Sequence, residues 1–293
     1  MPYSGGMTWK TPPPPLSSNG SAAGSNSFRS AEAARSGPRR HRTLWISDVH
    51  LGTWGSKASL LIDFLKHNDA ETLYLVGDIV DGWWLRRVWH WPQTHNDVVQ
   101  KILRKARKGT KVIFLPGNHD EMARDFLGLS LGGIKIHDRV VHSTADGRRL
   151  LVLHGDQFDG LLNHAQWLSL LGSGAYEVAL GLNHVVNAVR RKFGLPYWSL
   201  ASFLKHKTKK AVGFMNRFEE TVAREARRLG VDGVVCGHIH RPEIRTIDGI
   251  LYANDGDWVE SCTALAEDFQ GRLEILRWPS PAPRSASTAL SHA

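Results

Sequence analysis

The stretch Leu115-Pro116-Gly117-Asn118-His119-Asp120 follows an apolar run, Lys111-Val112-Ile113-Phe114-Leu115, and presents an amide, an imidazole and a carboxylate in succession. Strand-forming residues halted by Pro-Gly read as a β-strand ending in a polar loop. Four further segments are built the same way: Leu44-Trp45-Ile46-Ser47-Asp48-Val49-His50, Leu73-Tyr74-Leu75-Val76-Gly77-Asp78, Leu150-Leu151-Val152-Leu153-His154-Gly155-Asp156 and Val234-Val235-Cys236-Gly237-His238-Ile239-His240. Five strand ends with oxygen and nitrogen donors at their tips predict a metal centre assembled from loops along one sheet edge.

Between these tips the pattern alternates. A helix is expected over Ser59–His67, where Leu60, Leu61, Phe64 and Leu65 share a face, and another over Asn96–Lys108, stopped by Gly109. A helix turn is expected at Met122–Leu127. Strands are expected at Ile134–Ile136, Arg139–Ser143, Arg149–Leu153, Gly233–Cys236, Ile250–Ala253, Asp257–Val259 and Arg272–Arg277. Residues 157–217 break this rhythm with apolar stripes and the basic run Lys205, Lys207, Lys209 and Lys210, which reads as a helical cap insertion. A helix over Ala211–Leu229 follows. Strand and helix alternation early, with hairpins later, points to a layered α/β sandwich with a mixed sheet.

The chain has 293 residues and a hydrophobic fraction of 42%, enough for a full core. Residues 1–41 are rich in Gly, Ser, Pro and Ala and read as a disordered basic tail. The globular domain spans 42–278, and 279–293 read as a second tail. No apolar stretch follows the N-terminal charges, so no secretory signal is expected. Two distant cysteines offer no disulfide framework and favour a reducing, cytoplasmic setting; Cys236 reads as a buried core thiol. The net charge of +9 is concentrated in residues 1–42 and 160–217. It suits an anionic substrate or an anionic membrane surface, as for a protein peripheral on the inner membrane. Nucleic acid is disfavoured, because no RNA- or DNA-binding signature is present. The most apolar stretch, Trp167–Val189, contains Glu177, Asn183, His184 and Asn187, so a membrane span is not expected.

Divalent ions that hydrolyse phosphate esters need hard oxygen and imidazole ligands. Asp48 and His50 lie two apart after one strand, and His238 with His240 after another. Asp78, Asn118 and His154 come from three more strand ends. These seven donors suffice for two ions if one carboxylate bridges. His119, beside Asn118, is placed to donate a proton to substrate oxygens or a leaving group. Asp81 and Asp120 are expected to orient His119 or a ligand histidine, the equal alternative for Asp120 being the N-cap of a helix over Glu121–Phe126. Asp156 joins them as a further residue near the substrate. Trp83 and Trp84 read as packing under the cap, with base stacking as the alternative.

Asp48-Val49-His50, Gly77-Asp78-Ile79-Val80-Asp81, Gly117-Asn118-His119-Asp120, His154-Gly155-Asp156 and Gly237-His238-Ile239-His240 together resemble the motif series of the calcineurin-like metallophosphoesterases, over residues 42–278. The resemblance implies a four-layer αββα sandwich with a helical cap insertion. It implies Asp48, His50, Asp78 and His240 on one metal, and Asp78, Asn118, His154 and His238 on a second. Manganese is the expected ion, with iron, zinc and magnesium as alternatives. Ser47-Asp48-Val49-His50-Leu51-Gly52, the helical insertion and Gly256-Asp257-Trp258 look most like the UDP-2,3-diacylglucosamine pyrophosphatase branch, which serves lipid A biosynthesis. That branch commonly carries Arg where His119 stands, and the tryptophan-rich segment Asp81–Trp91 and the long N-terminal tail are untypical of it. The expected substrate is a phosphorylated, acylated nucleotide sugar. A phosphomonoesterase, a nucleotide phosphodiesterase with a helical lid, and a non-catalytic membrane-associated scaffold are the alternatives.

Overall fold

A computed structural model of the chain describes residues 37–159 and 200–279. From Pro38 onward these belong to one unit. Twelve strands form two sheets. In the first, β1 (Arg39–Ile46), β2 (Asn68–Val76), β3 (Lys111–Leu115) and β5 (Ile134–Ile136) run parallel. Three antiparallel strands border them: β4 (Ser130–Leu131) beside β5, and β11 (Thr263–Glu267) then β12 (Leu273–Arg277) beside β1. The second sheet has order β6 (Val140–Ser143), β7 (Arg149–Val152), β8 (Gly233–Cys236), β10 (Ile250–Asn254), β9 (Glu243–Ile247).

Side-chain alternation sets the layers. On β1 and β2, Leu44, Ile46, Leu73 and Leu75 face α1 (Ala58–His67) and α3 (Gln93–Arg107), which the short α2 (Gly82–Leu85) separates in sequence, with Leu61, Phe64, Val98 and Ile102 opposite them. The intervening Trp45, Tyr74 and Val76 turn the other way and meet Leu150, Val152, Val235 and Ala253 of the second sheet. The outer face of that sheet packs Leu151, Val234 and Tyr252 against Phe218, Val222 and Ala226 of α4 (Leu200–Arg228). The order is therefore helix, sheet, sheet, helix, as expected from the sequence.

Several boundaries differ from expectation. β1 begins at Arg39, so the last residues assigned to the N-terminal tail are sheet. His41 is buried there and its Nε2 lies 3.1 Å from Asn68 Oδ1. α4 starts at Leu200 instead of Ala211, so residues 200–217 share one helix with 218–228. The remainder of the expected cap, and the apolar stretch Trp167–Val189, lie outside the described residues. Asp257-Trp258-Val259 is a turn and not a strand: Asp257 Oδ1 accepts the N–H groups of Val259 at 2.8 Å and Glu260 at 2.5 Å, which bends the chain. The strand beside β1 is instead β11, Thr-Ala-Leu-Ala-Glu. It is buried on both faces, so it lacks the alternation that marks a strand in sequence. The edge strand β9, with Glu243 and Arg245, was hidden by its charges. Among the described residues no helix is long and apolar enough to cross a membrane.

The two sheets are also tied by charge. Glu267, fully buried on β11, accepts from Arg42 at 2.7 Å, Thr43 Oγ1 at 2.7 Å and the Ala145 N–H at 2.7 Å, and meets His142 Nε2 at 2.9 Å. Burial works to raise the Glu267 carboxyl, but the contacts with His142 and Thr43 outweigh it and the net shift is downward. A lowered folded-state pKa stabilises the fold above the unfolded value near 4.3 and is lost as pH falls through the folded value. Glu267→Gln is expected to cost about 3 kcal/mol at pH 7, because Arg42 loses its buried partner. It should also flatten the acid limb of stability below pH ~4.5. Chemical denaturation of both proteins between pH 3 and pH 8 checks this; equal acid slopes would show that Glu267 is not the group responsible.

Candidate metal centre

All five polar tips emerge at the same edge, and their backbones are unusual. Asp48, His50, Asp78, His238 and His240 all have φ between 50° and 70°, in the left-handed region. Only two other non-glycine residues among those described share it, Asp248 and Cys262. Each such residue costs roughly 1–3 kcal/mol and persists where its surroundings over-determine it. Here the surroundings are visible. The amides of Val49 and His50 both donate to the Asp78 carbonyl, at 3.0 and 2.9 Å, and the Asp48 amide donates to Gly77 O at 3.0 Å. The His238 amide donates to Asp48 Oδ2 at 2.9 Å, and the His119 amide to Asp78 Oδ1 at 2.9 Å. Gly117 and Gly77 let the chain pass hard against the site: a Cβ on either would overlap the His154 ring.

The donor atoms converge. His240 Nε2 lies 3.1 Å from Asp48 Oδ1, and His50 Nε2 lies 3.9 Å from both Asp48 Oδ1 and Asp78 Oδ2. His154 Nε2 lies 3.4 Å from Asp78 Oδ2. Asp48, His50 and His240 form one group whose ligand atoms lie within 4.8 Å of one another; Asp78, His154 and His238 form a second, and His50, Asp81 and His119 a third. Two of the imidazoles are oriented from behind. His154 Nδ1 is 2.7 Å from the Val76 carbonyl and His50 Nδ1 is 3.0 Å from Asp81 Oδ2, which leaves each Nε2 pointing inward. Asp48 Oδ1, His50 Nε2, Asn118 Oδ1 and His154 Nε2 are buried without a hydrogen-bond partner. Orphaned buried atoms cost about 1–3 kcal/mol each, and a shared cation removes that cost. Oxygen and imidazole nitrogen in this mixture suit manganese, iron or zinc.

The charges agree. Burial would raise the Asp48 carboxyl, yet His240 beside it outweighs this and holds it at about 2. Asp78 lies far below the usual carboxylate range despite burial, because His154, His50 and His119 surround it. Conversely, burial works to lower His240, but Asp48 pushes it up to about 9, and Asp78 lifts His154 well above its ordinary value in the same way. The carboxylates that raise these two imidazoles are the groups whose charge a divalent cation would neutralise.

The residues expected around this cluster divide. Asp81 does touch two histidines: its Oδ2 sits 3.0 Å from His50 Nδ1 and 2.9 Å from His119 Nδ1, the latter an ion pair without hydrogen-bond alignment. Asp120 does not face His119. It accepts the N–H groups of Gly117 at 2.6 Å and Ile79 at 2.7 Å, locking the Asp78 loop to the Asn118 loop, and its side chain caps no helix. Burial and then the nearby Asp78 charge raise its carboxyl to about 6. Asp156 is turned into a two-pronged contact with Arg124, at 2.8 and 2.9 Å. Trp83 lies against His119, ring centroids 4.5 Å apart; Trp84 meets Trp54 edge-on at 5.5 Å, and both are half-buried at the rim. Sequence reading missed Arg124, Asp159 (whose Oδ1 lies 2.8 Å from His238 Nε2), Ser47 and Asp255. Cys236 is fully buried as expected, and burial pushes its thiol up.

Residues 41–242 match the model of the calcineurin-like phosphoesterase family. The chain belongs to that family. It is accordingly a metal-dependent hydrolase of phosphoester or pyrophosphate bonds. Among curated relatives, the UDP-2,3-diacylglucosamine hydrolase of Chromohalobacter salexigens is 25% identical over 222 residues, covering 71% of this chain and 84% of that protein. The Azotobacter vinelandii protein of the same name is 27% identical over 241 residues, covering 78% and 95%. Of solved structures, the phosphoesterase Yfce from E. coli is similar at 14% identity and a TM-score of 0.40, covering 80% of this chain and 97% of that one.

Proposed function

We propose that this chain hydrolyses the pyrophosphate of a UDP-2,3-diacylglucosamine-type lipid-linked nucleotide, at a cytoplasmic membrane surface and with manganese as the working ion. Asp48, His50, Asp78 and His240 hold one ion, and Asp78, Asn118, His154 and His238 the other. The observation that carries the reading is Asp78 Oδ2, which lies between the inward nitrogens of His50 and His154 and bridges the two groups. Bound there, two divalent cations supply Lewis acidity to a phosphoryl oxygen and lower the pKa of a water. The protein contributes the rest. Asp81 steadies His50 and His119 together. Burial works to lower His119, but Asp81 and Asp78 outweigh it and raise its pKa, so it keeps a proton to give to the leaving oxygen.

The lipid part of the reading is supported by the surface beside the site. Trp54, Val88 and Trp89 are exposed, as are Met122, Phe126, Leu127, Leu129 and Leu131. The two sets meet where Trp83 Nε1 donates to Glu121 at 3.3 Å and Met122 packs against Gly82. Large exposed apolar side chains beside a site suit contact with lipid, and exposed Arg86 and Arg87 follow Trp83 and Trp84 with charge suited to anionic headgroups. In flotation with vesicles containing anionic lipid, Trp89→Ser with Phe126→Ser is expected to shift most of the bound protein to the soluble fraction. Binding equal to wild type would remove the rim from the membrane reading.

The substrate is tested by comparing the acylated UDP-sugar with its deacylated form. Each buried methylene contributes about 0.8 kcal/mol, so removing the chains is expected to lower kcat/KM by about 100-fold or more. An unchanged rate on the deacylated compound would favour a nucleotide phosphodiesterase. Activity confined to simple phosphomonoesters would favour a phosphatase, and inactivity on every phosphoester with manganese present a scaffold.

A further inference from the structure

Behind Asp48, on the side of its Oδ2, a second carboxylate is buried, and His154 is the cationic group that acts on it. Asp255 follows β10, is fully buried, and reaches only Ser47 with its side chain: Ser47 Oγ lies 2.7 Å from Asp255 Oδ1, 2.5 Å from Asp48 Oδ2 and 3.0 Å from the Gly256 carbonyl. Asp255 Oδ2 is buried with no hydrogen-bond partner among the described residues.

We infer that Asp255 is a neutral carboxylic acid whose proton, passed as a hydrogen bond through Ser47, orients Asp48 for metal binding. The inference rests on reading Asp48 as a ligand. Counting protons leads to it. A serine hydroxyl has one hydrogen to donate, and three oxygens crowd it within 3.0 Å. The Gly256 carbonyl has no proton to give, so one of the two carboxyls must bring its own. Asp48 has a second donor to Oδ2 in the His238 amide at 2.9 Å, and the His240 imidazole lies 3.1 Å from its Oδ1. Among the described residues Asp255 has one side-chain donor, Ser47, and an orphan oxygen. Burial and the negative Asp48 outweigh His154 and its own amide, which favour its ionised form. An ionised orphan is far costlier to bury than a neutral carbonyl. Burial, with the negative Asp48 nearby, pushes the Asp255 carboxyl well above the usual range. The chain of donation therefore runs from Asp255 O–H to Ser47 Oγ, and from Ser47 O–H to Asp48 Oδ2. With the His238 amide it saturates Oδ2, so Oδ1 alone is left facing the site. Asp255 is thus a positioning residue, and it does so without adding a negative charge behind the metals.

Infrared difference spectroscopy of metal-free protein at neutral pH tests the proton directly. Wild type is expected to show the carbonyl band of a protonated carboxyl that vanishes in Asp255→Asn. Manganese affinity, by titration calorimetry, tests the positioning. Asp255→Asn should bind as wild type, since its amide N–H still donates to Ser47; Asp255→Ala and Ser47→Ala should bind about 10–100-fold more weakly. Absence of the band, or an Asp255→Asn variant as weak as Asp255→Ala, overturns the inference. Asp48→Ala separates the two levels: undiminished manganese binding there sinks the ligand reading, whatever the infrared band shows.

Discussion

Asp78→Asn is expected to lower kcat/KM on a chromogenic phosphodiester by about 1,000-fold or more, with little change in melting temperature. Asparagine keeps the volume and the oxygen that accepts the His119 amide, so the loop geometry built on that 2.9 Å contact survives. What it removes is the negative charge between His50 and His154, at 3.9 and 3.4 Å. A metal clamp contributes several kcal/mol of transition-state stabilisation, and each 1.36 kcal/mol is a factor of ten. Losing a ligand shared by both ions weakens both. The effect should also appear as loss of at least one equivalent of bound manganese by elemental analysis. Wild-type turnover with two ions still bound would mean that Asp78 does not bridge, and the assignment of both groups would have to be redrawn.

His119→Asn should show a different signature. Positioned general acids contribute about 10²–10⁴-fold, and a loss of that size is expected for substrates with poorly acidic leaving groups. A p-nitrophenolate leaving group needs no proton, so its release should slow far less. Manganese content should be unchanged, because the His119 ring contributes no proposed ligand. The same role predicts that Asp81→Asn moves the alkaline limb of the pH–rate profile to lower pH: removing the partner 2.9 Å from His119 Nδ1 lowers the pKa that Asp81 helps to raise. Equal losses for good and poor leaving groups would assign His119 to binding and not to proton transfer.

These predictions draw on different depths of legibility. The strand β3 was read to the residue, because an apolar run ending in Pro-Gly is local chemistry. β11 was not, because burial on both faces erases periodicity, and Asp257-Trp258-Val259 was misjudged because a carboxylate gathering its own amides leaves no periodic trace. Within the site, Asp81 lies beside His50 and His119, which sit on the strand tips before and after its own. Asp120 was placed near them, but its bonds go to backbone amides, which carry no sequence signal.

Read linearly, the chain already determined its donor inventory and the strand ends that carry it, since residue type and hydrophobic alternation are local properties. It could not determine which atom of each donor turns inward. That depends on groups far apart in sequence: Val76 behind His154, Asp81 behind His50, and Asp255 through Ser47 behind Asp48. Backbone φ values that only a folded environment can enforce aim three of the five tips, those of Asp48 and His50, of Asp78, and of His238 and His240, and such strain is supplied by packing, not by composition.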